Sequence, residues 1–123
     1  MKKILVVDDE SGISDLIKER LTLNNYTVFT ASDGKKAQDI ARANQPDLIL
    51  MDIAMPEMDG YLTCEKLKKD AKTKSIPVIL LTGKDLESKS VMERCSACGA
   101  YDYLSKMSSL KELLEKVKEV LGE

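Results

Sequence analysis

Leu48-Ile49-Leu50-Met51-Asp52 decides the reading of this chain. Four apolar residues in a row, with no polar alternation, form the pattern of a strand buried on both faces, as in a parallel sheet covered by helices. The run ends in a carboxylate. Ile4-Leu5-Val6-Val7 has the same form and ends in Asp8-Asp9. Two later runs end differently: Val78-Ile79-Leu80-Leu81 meets Thr82, and Tyr101-Asp102-Tyr103-Leu104 stops close to Lys106. If the runs are parallel strands of one sheet, their ends share one edge. That edge then holds three carboxylates, a hydroxyl and an ammonium, a set suited to a divalent cation and a phosphoryl group.

Outward from these runs, strand and helix alternate five times. The strands are expected at about Lys3–Val7, Tyr26–Thr30, Leu48–Met51, Val78–Leu81 and Tyr101–Leu104. Ser11 reads as the N-cap of a first helix reaching about Asn24, with Ile13, Leu16, Ile17 and Leu21 on one face. Asp33-Gly34 opens a second helix to about Asn44. Met55-Pro56-Glu57-Met58-Asp59-Gly60 is a loop of turn residues; Asp59 reads as a cap, Gly60 as loose backbone and Met58 as core filler. A third helix covers about Tyr61–Asp70, and a fourth Ser88–Cys98, with Gly99 just past its end. Ser109 with Glu112 reads as a capping box for the last helix. Five such units in a short chain imply a doubly wound α/β sheet, whose ligands bind at the carboxyl ends of the strands.

Composition narrows the function. The chain has 123 residues, the size of one domain, and 43% are apolar, enough for a single core. One Phe and no Trp make that core aliphatic. No apolar run approaches the roughly 18–20 residues of a membrane span, and the first stops too early at Asp8 to be a signal peptide. Net charge is −2 and well mixed, which argues against direct nucleic-acid binding. Three cysteines, an odd number, fit a reducing cytoplasm better than a disulfide framework. Cys95-Ser96-Ala97-Cys98 closes a helix, whereas redox pairs open one, so these cysteines read as small, half-buried helix residues. There is no histidine, so the commonest general base is missing and any phosphohistidine must come from another protein.

Carboxylates directly after buried strands are poorly explained by packing. Crowded together they raise each other's pKa unless a cation joins them. Taken with Asp47-Leu48-Ile49-Leu50-Met51-Asp52, the loop from Met55 to Gly60, Leu81-Thr82-Gly83 and Tyr103-Leu104-Ser105-Lys106, the pattern resembles the receiver domain of two-component response regulators. Each piece is weak alone; their order and spacing are specific, and the resemblance spans the chain from Val6-Val7-Asp8-Asp9-Glu10 to the final helix.

The resemblance implies a flavodoxin-like (βα)5 fold with a five-stranded parallel sheet of order 2-1-3-4-5, as a single domain over residues 1–123. Asp52 matches the phosphoacceptor. Asp9 is then a direct metal ligand, Asp8 acts through water, and Asp52 and the Ala54 carbonyl complete the protein's share. The cofactor is Mg²⁺, with Mn²⁺ as a second candidate. Lys106 pairs with a phosphoryl oxygen, Thr82 is the switch hydroxyl, and Tyr103 is its aromatic partner. The partners implied are a sensor histidine kinase or histidine phosphotransfer protein and a downstream protein. The latter would be met through the fourth helix, fifth strand and fifth helix, with no nucleic acid or membrane bound directly. Ala54 and Lys84 occupy the positions that tune phosphate lifetime; Ala54 offers no group to orient water, so a phosphorylated form that is not short-lived is expected.

One position departs from the family. The lysine is normally followed by proline in a cis peptide, but Met107 follows Lys106. A cis bond before a non-proline residue costs about 2.5–4 kcal/mol, so a trans bond is expected. The rival readings are a flavin carrier, which Asp8-Asp9 would repel at the phosphate; an aspartate-based phosphatase, which wants a second Asp where Ala54 stands; and a degenerate receiver that binds proteins without being phosphorylated. The resemblance implies a switch that catalyses only its own phosphorylation and dephosphorylation, not a metabolic enzyme.

Overall fold

Ile4 to Val7, Leu48 to Met51 and Val78 to Leu80 are 0% exposed, as strands covered on both faces require. A computed structural model describes residues 1–55, 58–83, 88–106 and 108–123, and only the backbone of Ser11, Ser88, Lys89 and Val91. The expectations for Lys84 and for the Lys106–Met107 peptide lie outside the described residues. The elements are β1 (Lys3–Val7), α1 (Ser11–Leu23), β2 (Thr27–Ala31), α2 (Gly34–Asn44), β3 (Leu48–Asp52), α3 (Gly60–Lys69), β4 (Val78–Thr82), α4 (Ser88–Cys98), β5 (Asp102–Ser105) and α5 (Leu110–Leu121). The sheet is parallel throughout, in the expected order β2-β1-β3-β4-β5.

Because side chains alternate along a strand, each run feeds two cores. Leu5, Val7, Ile49, Met51, Val78 and Leu80 pack under α2, α3 and α4. Ile4, Val6, Leu48, Leu50, Ile79 and Leu81 pack under α1 and α5, against Ile17, Leu21, Leu113 and Val117. The chain leaves β1 for β2 on one side and reaches β3 on the other. This reversal opens a crevice at the carboxyl ends of β1 and β3.

Local chemistry sets the helix starts. Asp33 accepts the Lys36 N–H at 2.8 Å, Asp59 the Leu62 N–H at 2.9 Å and Ser109 the Glu112 N–H at 3.1 Å. Each such cap stabilises by about 1 kcal/mol. Gly99 ends α4 at φ +84°, the left-handed region that favours glycine. Ser11 is not the cap of α1: Glu10 holds that position, with no side-chain cap bond, and Ser11 is the first helical residue. The Glu10 N–H is instead taken by Asp8 Oδ1 at 2.8 Å, which turns the chain into the helix early. β2 and β5 each begin and end one residue later than expected.

Candidate functional site

The sheet brings the strand ends together by register. Val7 pairs with Met51, so Asp8 and Asp52 follow at neighbouring ends of β1 and β3. Asp52 pairs with Leu81, and Thr82 with Ser105. The Lys106 N–H donates to the Thr82 carbonyl at 2.8 Å, carrying the ladder one residue past β5 and fixing where the lysine stem starts.

Each of the two buried carboxylates divides its oxygens between backbone and site. Asp8 Oδ1 accepts from Glu10 N–H, and Asp52 Oδ1 accepts from Ala54 N–H at 3.2 Å. Asp8 Oδ2 and Asp52 Oδ2 are buried, with no hydrogen-bond partner among the described residues besides the Lys106 ammonium they face. Both lie at ion-pair distance from Lys106 Nζ, at 3.3 and 3.1 Å, and Glu10 Oε1 is 3.6 Å from the same ammonium. Asp8 and Asp52 are 2% and 1% exposed. One cation thus faces three acids, two of them buried and the third, Glu10, exposed at the rim.

The electrostatics follow. Burial pushes the Asp52 carboxyl up to about 6; Lys106 and the Ala54 N–H oppose this in part, and the Asp8 charge adds to it. Burial works against the Lys106 ammonium, but Asp52 and Asp8 outweigh it and hold that pKa above its ordinary value. A single ammonium therefore does not satisfy the acids. Asp9 is exposed beside them, and carboxylate oxygens of Asp8, Asp9 and Glu10 lie within 4.8 Å of one another. Hard anionic oxygens, two of them buried and sharing one ammonium, fit a hard dication. Glu10 escaped the sequence reading as a site residue, although its signal was visible: a third acid directly after Asp8-Asp9. So did the Ala54 amide, which holds Asp52 Oδ1.

Thr82 is 5% exposed. It lies two residues after Leu80, the partner of Tyr103, so Thr82 and Tyr103 share the sheet face that α4 covers. Tyr103 is half-buried and lines a groove of about 240 Å³ with Met92, Cys95 and Tyr101. Gly60 has a different reason from the one expected. A Cβ there would meet the Asp52 carbonyl oxygen at 2.2 Å and Ile53 Cα at 2.8 Å, so the glycine lets α3 start against the end of β3. Cys95 and Cys98 are buried rather than half-buried, and Cys64 of α3 is buried with them.

Known proteins resemble this chain in sequence and fold. The family model described as response regulator receiver domain matches residues 4–118. The DNA-binding dual master transcriptional regulator RpaA of Synechocystis sp. is 39% identical over 121 residues, 98% of this chain and 49% of that protein. The chain spans about half the length of the curated relatives it matches. Among solved structures, Vibrio cholerae chemotaxis protein CheY4 superposes with a TM-score of 0.91 at 29% identity, covering 98% of this chain and 99% of that one. The receiver domain of the Pseudomonas aeruginosa sensor histidine kinase PA1611 gives 0.88 at 30% identity, covering 99% and 98%; that structure holds a magnesium ion in its active-site cleft.

Proposed function

The chain belongs to the response regulator receiver domain family, and from its site geometry we propose that it is a phospho-accepting switch of a two-component system, charged on Asp52 by a partner's phosphohistidine. The observation that carries this reading is the convergence of two buried carboxylate oxygens, Asp8 Oδ2 and Asp52 Oδ2, on one lysine at the sheet edge. In the transfer, the phosphohistidine N–P bond breaks and an O–P bond to Asp52 forms, while the imidazole leaves. A carboxylate is a weak nucleophile, so the site must act by positioning and charge stabilisation.

Asp9, Asp52 and the Ala54 carbonyl are the proposed metal ligands, with Asp8 acting through water and Glu10 close enough to support the site. When bound, Mg²⁺ screens these acids and the incoming phosphoryl oxygens. Mn²⁺, which also favours oxygen ligands, is a second candidate. Lys106 releases one carboxylate to meet a phosphoryl oxygen. The Ala54 N–H keeps Asp52 aimed. Thr82 donates its hydroxyl to the phosphoryl group, and Tyr103 turns into the space that opens, a two-state element biased by local charge. Ala54 carries no polar side chain to orient an attacking water, and with Lys84 it sets the lifetime of the acyl phosphate. The only chemistry proposed is the chain's own phosphorylation and dephosphorylation.

The proposed donor is a sensor histidine kinase or a histidine phosphotransfer protein. Its seat is an apolar groove of about 210 Å³ between α1 and the start of α5, lined by Ile13, Leu16, Leu104 and Leu110 and reaching Lys106 itself. In-line transfer to Asp52 requires the donor to sit there or beside it. The output surface is the α4-β5-α5 face, where Met92 and Tyr101 are 57% and 60% exposed. RpaA's DNA binding belongs to a protein about twice as long; this chain, with net charge −2, is proposed to act on protein. Among the described residues no helix is long and apolar enough to cross a membrane, and the proposed setting is the cytoplasm, as one domain over residues 1–123.

Intact mass after incubation with a small phosphodonor tests the reading. A Mg²⁺-dependent gain of one phosphoryl group that Asp52→Asn abolishes is expected. No gain in the wild type would favour the alternative, a degenerate receiver acting as a phosphorylation-independent binding module. Loss of the label within seconds would count against the lifetime assigned to Ala54.

A further inference from the structure

All three cysteines of the chain meet in one buried place that the phosphoryl site does not use. Cys64 lies on the inner face of α3 and is 0% exposed; Cys95 and Cys98 lie on the last turn of α4 and are 5% and 6% exposed. The Cys64 Sγ lies 3.5 Å from the Cys98 carbonyl oxygen, across 34 residues of sequence, and its thiol also meets the Cys98 thiol. The end of α4 packs against α3 here for a visible reason. Gly99 has no Cβ, and one built there would lie 3.0 Å from Lys68 Cγ, one helical turn beyond Cys64. Glycine thus seats the end of α4 against the stem of α3.

We propose that Cys64 and Cys98 are a thiol pair that closes to an intramolecular disulfide when the chain meets a two-electron oxidant of the peroxide class, tying α3 to the end of α4. Cys98 reacts first. The neighbouring Cys64 thiol holds Cys98 down to about 7, while the same contact and burial push Cys64 well above the ordinary thiol range. The Cys98 thiolate attacks one peroxide oxygen. The O–O bond breaks, and hydroxide leaves and takes up the proton that Cys98 had lost. Cys98 is then a sulfenic acid. The Cys64 sulfur attacks the Cys98 sulfur, the S–O bond breaks, and the second hydroxide leaves with the Cys64 proton as water. Two thiols and one hydrogen peroxide thus give one disulfide and two waters. In a reducing compartment such a bond is transient, which suits a sensor rather than a staple. Its consequence for signalling rests on the switch reading above: α4 tied to α3 does not follow a movement of Thr82.

The full chain, reduced and then desalted, is treated with hydrogen peroxide, denatured and alkylated with N-ethylmaleimide. The expected product is a monomer that has lost two hydrogens and carries one alkyl group instead of three, with a cross-linked peptide joining Cys64 to Cys98. Cys95→Ser should still close the bond; Cys64→Ala and Cys98→Ala should not. The wild-type peptide map decides even where a variant folds poorly. Three alkylated cysteines after oxidation, a Cys95–Cys98 link, or disulfide dimers alone would overturn the proposal. Phosphoryl uptake by the reduced chain is scored separately, so failure of the thiol pair is distinguished from failure of the switch reading.

Discussion

Lys106 Nζ stands 3.1 Å from Asp52 Oδ2, and the same ammonium is 3.3 Å from Asp8 Oδ2. With the lysine gone, two buried carboxylates face each other with no counter-charge. Breaking a buried pair costs more than its formation gains, because the remaining charge stays out of water. Lys106→Met should therefore lose about 2–4 kcal/mol at about pH 8. The loss should shrink toward pH ~4, because Asp52 then takes up a proton and the repulsion disappears. Urea denaturation at both pH values measures this. An equal loss at both would mean that the lysine matters for packing alone.

Asp52 itself is held at a cost. Its folded pKa is raised from 3.8 to about 6, so between these values the native state binds more protons than the unfolded one and stability falls as pH rises. Below the unfolded value the penalty is absent; above about 6 it is complete. Asp52→Asn removes it. The variant should be more stable than the wild type by about 1–3 kcal/mol at about pH 8, and little different at pH ~4. Paired thermal melts without Mg²⁺ check it. A destabilised variant at the higher pH would show that the carboxylate is a net stabiliser of the fold.

The sheet was readable because burial on both faces writes itself as uninterrupted aliphatic runs, and β1, β3 and β4 are such runs. The edge strands were placed one residue early because β2 and β5 are largely half-exposed and lack that signature. Asp8, Asp52, Thr82 and Lys106 announced themselves as polar groups in places packing does not explain. What stayed hidden depended on distant pieces of chain. The role of Gly60 is set by the carbonyl of Asp52, and the buried thiols join Cys64 to Cys98. The cap expected at Ser11 falls at Glu10 instead, because the Ser14 N–H donates to the Glu10 carbonyl at 3.2 Å and the helix starts one residue sooner.

Magnesium affinity should depend on pH in a defined window. The metal binds ionised oxygens, so a proton on Asp52 must leave first. With that carboxyl at about 6, affinity should be level above about pH 7 and fall by up to ~10-fold per unit between about 6 and 4. Calorimetric titration with magnesium chloride across this range gives the slope. An affinity unchanged from pH ~5 to ~8 would remove Asp52 from the ligand set.

Gly60 and Gly12 make a controlled pair, since both lie in the first turn of a helix. A Cβ at Gly12 meets nothing within 4 Å, whereas one at Gly60 meets the Asp52 carbonyl oxygen at 2.2 Å and Ile53 Cα at 2.8 Å. Gly12→Ala should gain about 0.5–1 kcal/mol from the better helix former. Gly60→Ala should lose about 1–3 kcal/mol, because backbone rather than a flexible side chain must give way. The loss should carry a functional mark. The atom displaced belongs to Asp52, the proposed phosphoacceptor, and Gly60 N–H itself donates to the Ile53 carbonyl at 2.8 Å, so Mg²⁺-dependent phosphoryl uptake should slow in Gly60→Ala and hold in Gly12→Ala. Denaturation midpoints and uptake rates for the two variants, measured together, separate the effects. A Gly60→Ala chain as stable and as fast as the wild type would show that the end of β3 can yield without cost.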